Sequence, residues 1–455
     1  MEDDNNFERN PNNNPLSVID EKPELTTLVA ATKMQNDNES LLSNKILSKL
    51  SRGYTLFTVV NVLSYSINET LFILPYCLRK LGIIPFLIVV ILLSLTSIYI
   101  FYLIIDIVIK HNLFDNYHQI IQEKTNKYFN ISYYIINIIY HILLIILENF
   151  LYLSLLQRLL IFFGINMKNI FYEKLIILSL SLIAIEIPIT FIKRLVKPDL
   201  SYIIITILII FINVTSLIIV LINKSNNNIN LIKVNFFEGF SQDYFTGCSI
   251  ILTVIGWQNQ ISKHLKSFKI KTTKRFYKVV YLFFIVEFIL ILFICILSTP
   301  LFSDKGDLLI LLLDYKSLNL TSVIFIIIMS IAFCVLVHLI IGHHIQLIQE
   351  NLLLTLKLVL YKRAEDDFEI NKLFSIIFNL FILFLSNIVC LCTEDISLII
   401  ILYGGIFTPI LNNLIPTGLY CLMVSSNSIV VWVAWLITFI IMSLGLIGFI
   451  LKIFL

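Results

Sequence analysis

Two apolar stretches within residues 51–109, each long enough to cross a bilayer, are joined by a short basic turn at Arg79 and Lys80. The first is interrupted internally by Asn68, Glu69 and Thr70, and Pro75 follows. Hydrocarbon offers no water to satisfy a free N–H or C=O. Interrupted backbone therefore survives at that depth only where protein encloses it or where it lines a cavity. A broken first helix points to a passing solute more than to a structural anchor. The alternative is a continuous helix kinked by Pro75.

A crossing takes about 20 apolar residues at 1.5 Å rise each. By that ruler the chain holds about eleven crossings, at 54–76, 83–109, 131–163, 174–192, 199–222, 243–262, 277–302, 320–342, 371–391, 396–424 and 428–453. The third and tenth are long enough to tilt or break. The intervals between crossings are short and polar, so residues 51–455 read as one all-α integral membrane domain. Residues 1–50 are polar and Asn-rich and are expected to form a disordered cytoplasmic tail. With the N-terminus in the cytoplasm, the inner segments carry 20 Lys and Arg and the outer segments 9. That bias follows the positive-inside rule. The membrane is read as the plasma membrane or a vacuolar, lysosome-like one.

Mean hydropathy of +0.91 lies far outside the soluble range. The net charge of +3, with its basic residues dispersed, argues against a nucleic-acid partner. All seven cysteines lie in or beside apolar runs without ligand spacing and read as small buried hydrophobes. Cys390 and Cys392 could pair or bind a metal at a membrane face, but nothing else in the sequence supports it. No nucleophile, zinc or phosphate-loop motif appears at usable spacing, so neither an enzyme nor a cofactor is expected. No selectivity-filter repeat suggests a channel. Small solute and lipid are the expected partners, and the oligomeric state is open.

Ionisable and polar groups at membrane depth are expensive and mark candidate sites. At 100° per residue, Asn61, Ser64, Tyr65 and Asn68 share one face within about 100° of arc, leading into Glu69 and Thr70. On the third crossing, Asn137, His141, Glu148 and Tyr152 lie within about 60°, with Arg158 off to the side. His141 and Glu148 are about 10 Å apart along the axis, too far for direct contact. That stripe reads either as a proton relay or substrate wall, or as interhelical hydrogen bonds. Glu287 sits mid-span in the seventh crossing, where a carboxyl suits a proton carrier. His338, in the eighth, reads as a coupling candidate or a packing residue. Glu186 is placed near the inner end of the fourth crossing, and His343 and His344 at the membrane boundary; solvent is the expected partner of all three.

The sixth crossing contains Gly256, Trp257, Gln258, Asn259 and Gln260, an expensive cluster if the helix simply continues. Unwinding near Gly256 turns freed backbone groups into ligands for a small polar solute. Otherwise the span ends there and the glutamines sit among headgroups. The tenth crossing, "LYGGIFTPILNNLIP", invites a bend at its glycines and prolines.

Together these features resemble the amino acid/auxin permease family of the amino acid–polyamine–cation superfamily. Its first helix reads Gly-x-Gly, three apolar residues, x-Pro-Tyr, then a polar turn and Gly. Here "NETLFILPYCLRKLGIIP" keeps Pro75, Tyr76 and Gly82 in step. "WQNQISKHLKSF" resembles the sixth helix entering its inner loop, and "LYGGIFTPILNNLIPTGLY" the glycine-then-proline tenth segment. The ordered match covers most of 51–424.

The resemblance implies a LeuT-like fold of two inverted five-helix repeats plus one helix, with helices 1 and 6 broken. It implies secondary active transport of amino acids by alternating access, with proton or sodium symport. Substrate contacts carry over to Asn68, Glu69 and Thr70 and to Gly256, Trp257 and Gln258, with Asn61 and Ser64 alongside. His141, Glu148, Tyr152, Glu287 and His338 are the coupling or gating candidates. One departure stands out. Asn68 and Thr70 replace the family's two glycines, with Glu69 between them, which crowds the approach of a substrate carboxylate. A cationic or other polar solute on the same scaffold, or a membrane sensor that transports nothing, are the rival expectations.

Overall fold

A helix satisfies its own backbone in lipid, and the apolar runs of this chain fold accordingly. In the computed structural model, the described residues are 59, 73–111, 117–165, 170–188, 208, 211, 215, 236–237, 243–256, 273–298, 320–360, 372–393, 396–424 and 428–454. Every regular element among them is helical and none is a strand. In chain order these are α1 (Leu74–Leu81), α2 (Ile83–Lys110), α3 (Tyr117–Lys124), α4 (Lys127–Phe162) and α5 (Ile170–Ser181). They are followed by α6 (Asp243–Ile255), α7 (Thr273–Ser298), α8 (Leu320–Leu360) and α9 (Lys372–Cys392). The last two are α10 (Ser397–Met423) and α11 (Ile429–Phe454).

Seven of the helices described are long and apolar enough to cross a membrane, namely α2, α4, α7, α8, α9, α10 and α11. They fit a multi-pass membrane protein. The remaining expected crossings, 54–76, 174–192, 199–222 and 243–262, fall wholly or partly outside the described residues, as does the tail at 1–50.

Local sequence accounts for the helix boundaries. Pro75 sits in the first turn of α1, where its missing N–H costs nothing. Gly82, at φ 82°, adopts a conformation that side chains resist and turns the chain from α1 into α2. Asn126 caps α4 by accepting the Phe129 N–H at 2.8 Å. Bulky side chains left outward form lipid-facing stripes, such as Ile88, Ile91, Leu92 and Leu95 on α2, and Trp432, Leu436 and Phe439 on α11. Of the seven long helices α4 is the most enclosed and α11 the least.

The packing falls into two groups. α1 contacts α2, α6 and α7, and α2 contacts α6 and α7; α4 contacts α5, α8 and α9, and α5 contacts α9. The pair α4–α8 is the most extensive contact, and α10 lies against α6, α11, α4 and α2. Two π-helical stretches, Ile401–Phe407 and Ile410–Leu414, widen α10 where the sequence invited a bend.

α8 corrects an expectation. Rather than ending near 342, it continues without a break to Leu360, carrying His343 and His344 as interior helical residues.

Glycine lets α10 approach its neighbours closely. A Cβ at Gly404 would collide with the Ser249 carbonyl on α6, and Gly405 lies against Gly445 of α11. Association in lipid depends on such small-residue contact. Gly404→Ala should lower the thermal stability of the detergent-purified protein by roughly 1–3 kcal/mol, as overpacked sites do. Gly418→Ala, which meets nothing within 4 Å, should leave the melting temperature unchanged or slightly higher.

Candidate functional site

The polar stripe expected on the third crossing lies on α4, and its members are buried. Asn137, His141, Glu148 and Tyr152 are all enclosed, with Glu148 at 0% exposure. Their contacts run in different directions. Asn137 donates to its own helix at the Tyr133 carbonyl, 2.9 Å away. His141 turns to α8, where its Nδ1 lies 3.2 Å from Nδ1 of His344 and the two rings stack at 5.1 Å. Solvent as the partner of His344 is thereby corrected: the residue is partly buried and paired with His141. Beside them the Tyr403 hydroxyl of α10 donates to that of Tyr140 at 3.0 Å.

Two turns further along α4, a second polar cluster joins four helices. Asn149 Nδ2 donates to Ser386 Oγ and Asn387 Oδ1 of α9, each at 3.2 Å. Tyr152 meets the ring of His338 edge-on, with centroids 4.7 Å apart. His338 in turn lies 2.9 Å from Ser181 Oγ, at the end of α5. Ser181 Oγ is also 3.0 Å from Glu186 Oε1. Asn387 Nδ2 approaches the other Glu186 oxygen at 3.4 Å. Ser181, Glu186 and His338 are each 2% exposed or less. Glu186, expected in solvent, is therefore corrected to a buried, hydrogen-bonded carboxyl.

The backbone explains why sequence reasoning missed the Ser181–Glu186 contact. Residues five apart on an α-helix point about 140° away from each other. Here the chain runs through a π turn at Leu182–Glu186, whose wider loop returns Glu186 to the side of Ser181. Asn149, Ser386 and Asn387 carried a readable signal, polar residues in apolar runs, that the stripe arithmetic passed over.

Glu287 is buried on α7, which packs against α1 and α2. Cys390 is buried and contacts the Ile146 carbonyl at 3.4 Å, whereas Cys392 is exposed, so the two do not pair.

At the sixth crossing, α6 ends at Ile255 and Gly256 is not helical. Both residues are buried. The carbonyls this leaves outside the helix ladder are met by neighbouring side chains. Asn412 Nδ2 of α10 donates to the Gly256 oxygen at 2.5 Å, and Ser97 Oγ of α2 to the Ile255 oxygen at 3.5 Å. A Cβ at Gly256 would strike Thr408 of α10, so only glycine fits the approach. Trp257 and Gln258, with Asn61, Ser64, Asn68, Glu69 and Thr70, lie outside the described residues. Among the described residues no cluster of three or more His, Cys, Asp or Glu could hold a metal ion.

Asn149→Leu should destabilise the protein by about 1–3 kcal/mol, because it strands Ser386 and Asn387 without their partner. Tyr403→Phe removes a single interhelical hydrogen bond and should cost only about 0.6 kcal/mol. Thermal unfolding of the two variants side by side checks that order.

No protein-family model matches the chain, and no curated protein matches its sequence.

Proposed function

We propose that this chain is a secondary active transporter of amino acids, coupled to protons or sodium and working by alternating access. The observation that carries the reading is the buried end of α6 at Ile255 and Gly256. Its carbonyls are held by Ser97 and Asn412 inside the protein. A helix end buried in packed protein sets backbone carbonyls among polar side chains, the kind of place at which membrane carriers hold small solutes.

The packing supports the same scaffold. Numbered as crossings, α1 at the end of the first lies against the sixth, the second against the seventh, the third against the eighth and the fourth against the ninth. A constant offset of five is what two inverted five-helix repeats produce. The substrate site then lies between the first and sixth crossings. The family resemblance assigns its substrate contacts to Asn68, Glu69 and Thr70 and to Gly256, Trp257 and Gln258, with Asn61 and Ser64 alongside. α10 braces the sixth break through Thr408 and Asn412.

A second reading keeps the scaffold and changes the passenger. Glu69 stands between the two positions that are glycine in the family, and a carboxylate there favours an amine or another cation. Radiolabelled uptake into proteoliposomes across amino acids, amines and organic cations separates the two. Uptake of amino acids supports the first reading, and uptake of cations alone selects the second. If no solute enters, and Asn68→Ala and Glu69→Gln change nothing, the transporter reading fails.

The brace yields a sharper expectation. Asn412→Leu removes the donor to the Gly256 carbonyl, a hydrogen bond worth roughly 1 kcal/mol. Initial uptake should fall several-fold while the purified variant remains monodisperse on size exclusion; an unaltered rate counts against a working site at the α6 end.

A further inference from the structure

The hydrogen bonds around Ser181 specify how many protons the cluster holds. Nδ1 of His338 lies 2.6 Å from the Cys334 carbonyl oxygen, which can only accept, so Nδ1 carries a hydrogen. Nε2 of the same ring is 2.9 Å from Ser181 Oγ, and that Oγ is 3.0 Å from Glu186 Oε1. A serine hydroxyl has one hydrogen to donate. With Glu186 ionised and His338 neutral, that single hydrogen serves one neighbour only. The other contact then brings two lone pairs together at hydrogen-bond distance in a buried place.

One added proton removes the conflict, and it can be written in two ways. Glu186 as a carboxylic acid donates to Ser181 Oγ, and Ser181 donates to Nε2. Alternatively Nε2–H donates to Ser181 Oγ, and Ser181 donates to the Glu186 carboxylate. The forms interconvert when Glu186 gives its proton to Ser181 as Ser181 gives its own to His338. Electrons and atoms balance with no other reactant.

We propose that Glu186, Ser181 and His338 form a buried binding site for one proton, shared across the serine, and that this proton is the coupling ion. The second role rests on the transport reading above; the proton site itself does not.

The surroundings suit that load. Asn387 donates toward the second Glu186 oxygen, and Tyr152 covers the His338 ring from α4. Among the described residues, the other titratable groups near the triad include Tyr152, which also hydrogen-bonds Ser181, Cys334 on α8, Cys390 on α9 and Lys174 on α5. Glu148 lies one turn from Tyr152 on α4, and Glu173 is buried on α5. The π turn at Leu182–Glu186 is what brings the carboxyl to the serine. Single-turn π bulges of this kind recur at functional sites. The site also ties α5 to α8 and, through Asn387, to α9. Loading and unloading it would change how those helices hold together.

The test uses the full chain reconstituted in liposomes without solute, read by infrared difference spectroscopy between acidic and alkaline buffer. Wild type should show the carbonyl stretch of a buried carboxylic acid, shifting down in heavy water. Glu186→Gln should remove that band. Ser181→Ala, a smaller change that spares the fold, should move it to higher frequency because the acid loses its acceptor. A band left in place by both variants overturns the proton site. Accumulation of a transported amino acid under an inward pH gradient should fall at least tenfold in Ser181→Ala. Wild-type accumulation in that variant, or accumulation driven by sodium and indifferent to pH, overturns the coupling role. Absence of wild-type uptake for every solute sinks the transport reading and leaves the infrared assignment standing.

Discussion

Polar groups inside hydrocarbon have no solvent to fall back on, so each must be paired within the protein or forgo its charge. The fold of this chain follows from that constraint. Long apolar helices satisfy their own backbone, and the polar residues along them become the points at which helices join. α4 illustrates it: His141 reaches α8, Tyr140 reaches α10, and Asn149 reaches α9. The most enclosed of the long helices is thus hydrogen-bonded to three neighbours.

Departures from regular helix geometry concentrate where those pairings occur. The π turn after α5 positions Glu186 beside Ser181, and the π stretches of α10 accompany its glycine contacts with α6 and α11. The end of α6 is a third departure, with side chains of α2 and α10 supplying the donors its last carbonyls need. Hydrogen bonds of this kind are individually weak in membranes. Their effect is to select one arrangement of helices that are otherwise similarly apolar and could slide past one another. On the proposed reading, the same weak links are what a carrier can break and remake as it alternates.

Much of the architecture was legible from residue order alone. Apolar run lengths located α2, α4, α7, α9, α10 and α11, because span length is set by bilayer thickness and little else. Helical periodicity placed Asn137, His141, Glu148 and Tyr152 inside. Position within a span failed for Glu186, which it put near solvent and which the π turn returns to Ser181. It failed again for His344, because hydropathy falls near 343 while α8 runs on to Leu360. A boundary drawn where apolarity fades marks a change of residue type and does not require the helix to stop.

Composition and periodicity thus determined that this is a chain of apolar helices that fit a multi-pass membrane protein, and which polar residues of α4 face inward, because both depend on local free energies of transfer and on helix geometry. Only the tertiary structure decided which buried polar groups meet. Partners such as Ser181 and His338, or Gly256 and Asn412, are more than 150 residues apart. Their meeting depends on how whole helices cross, which the packing of side chains from several elements resolves together and no single segment encodes.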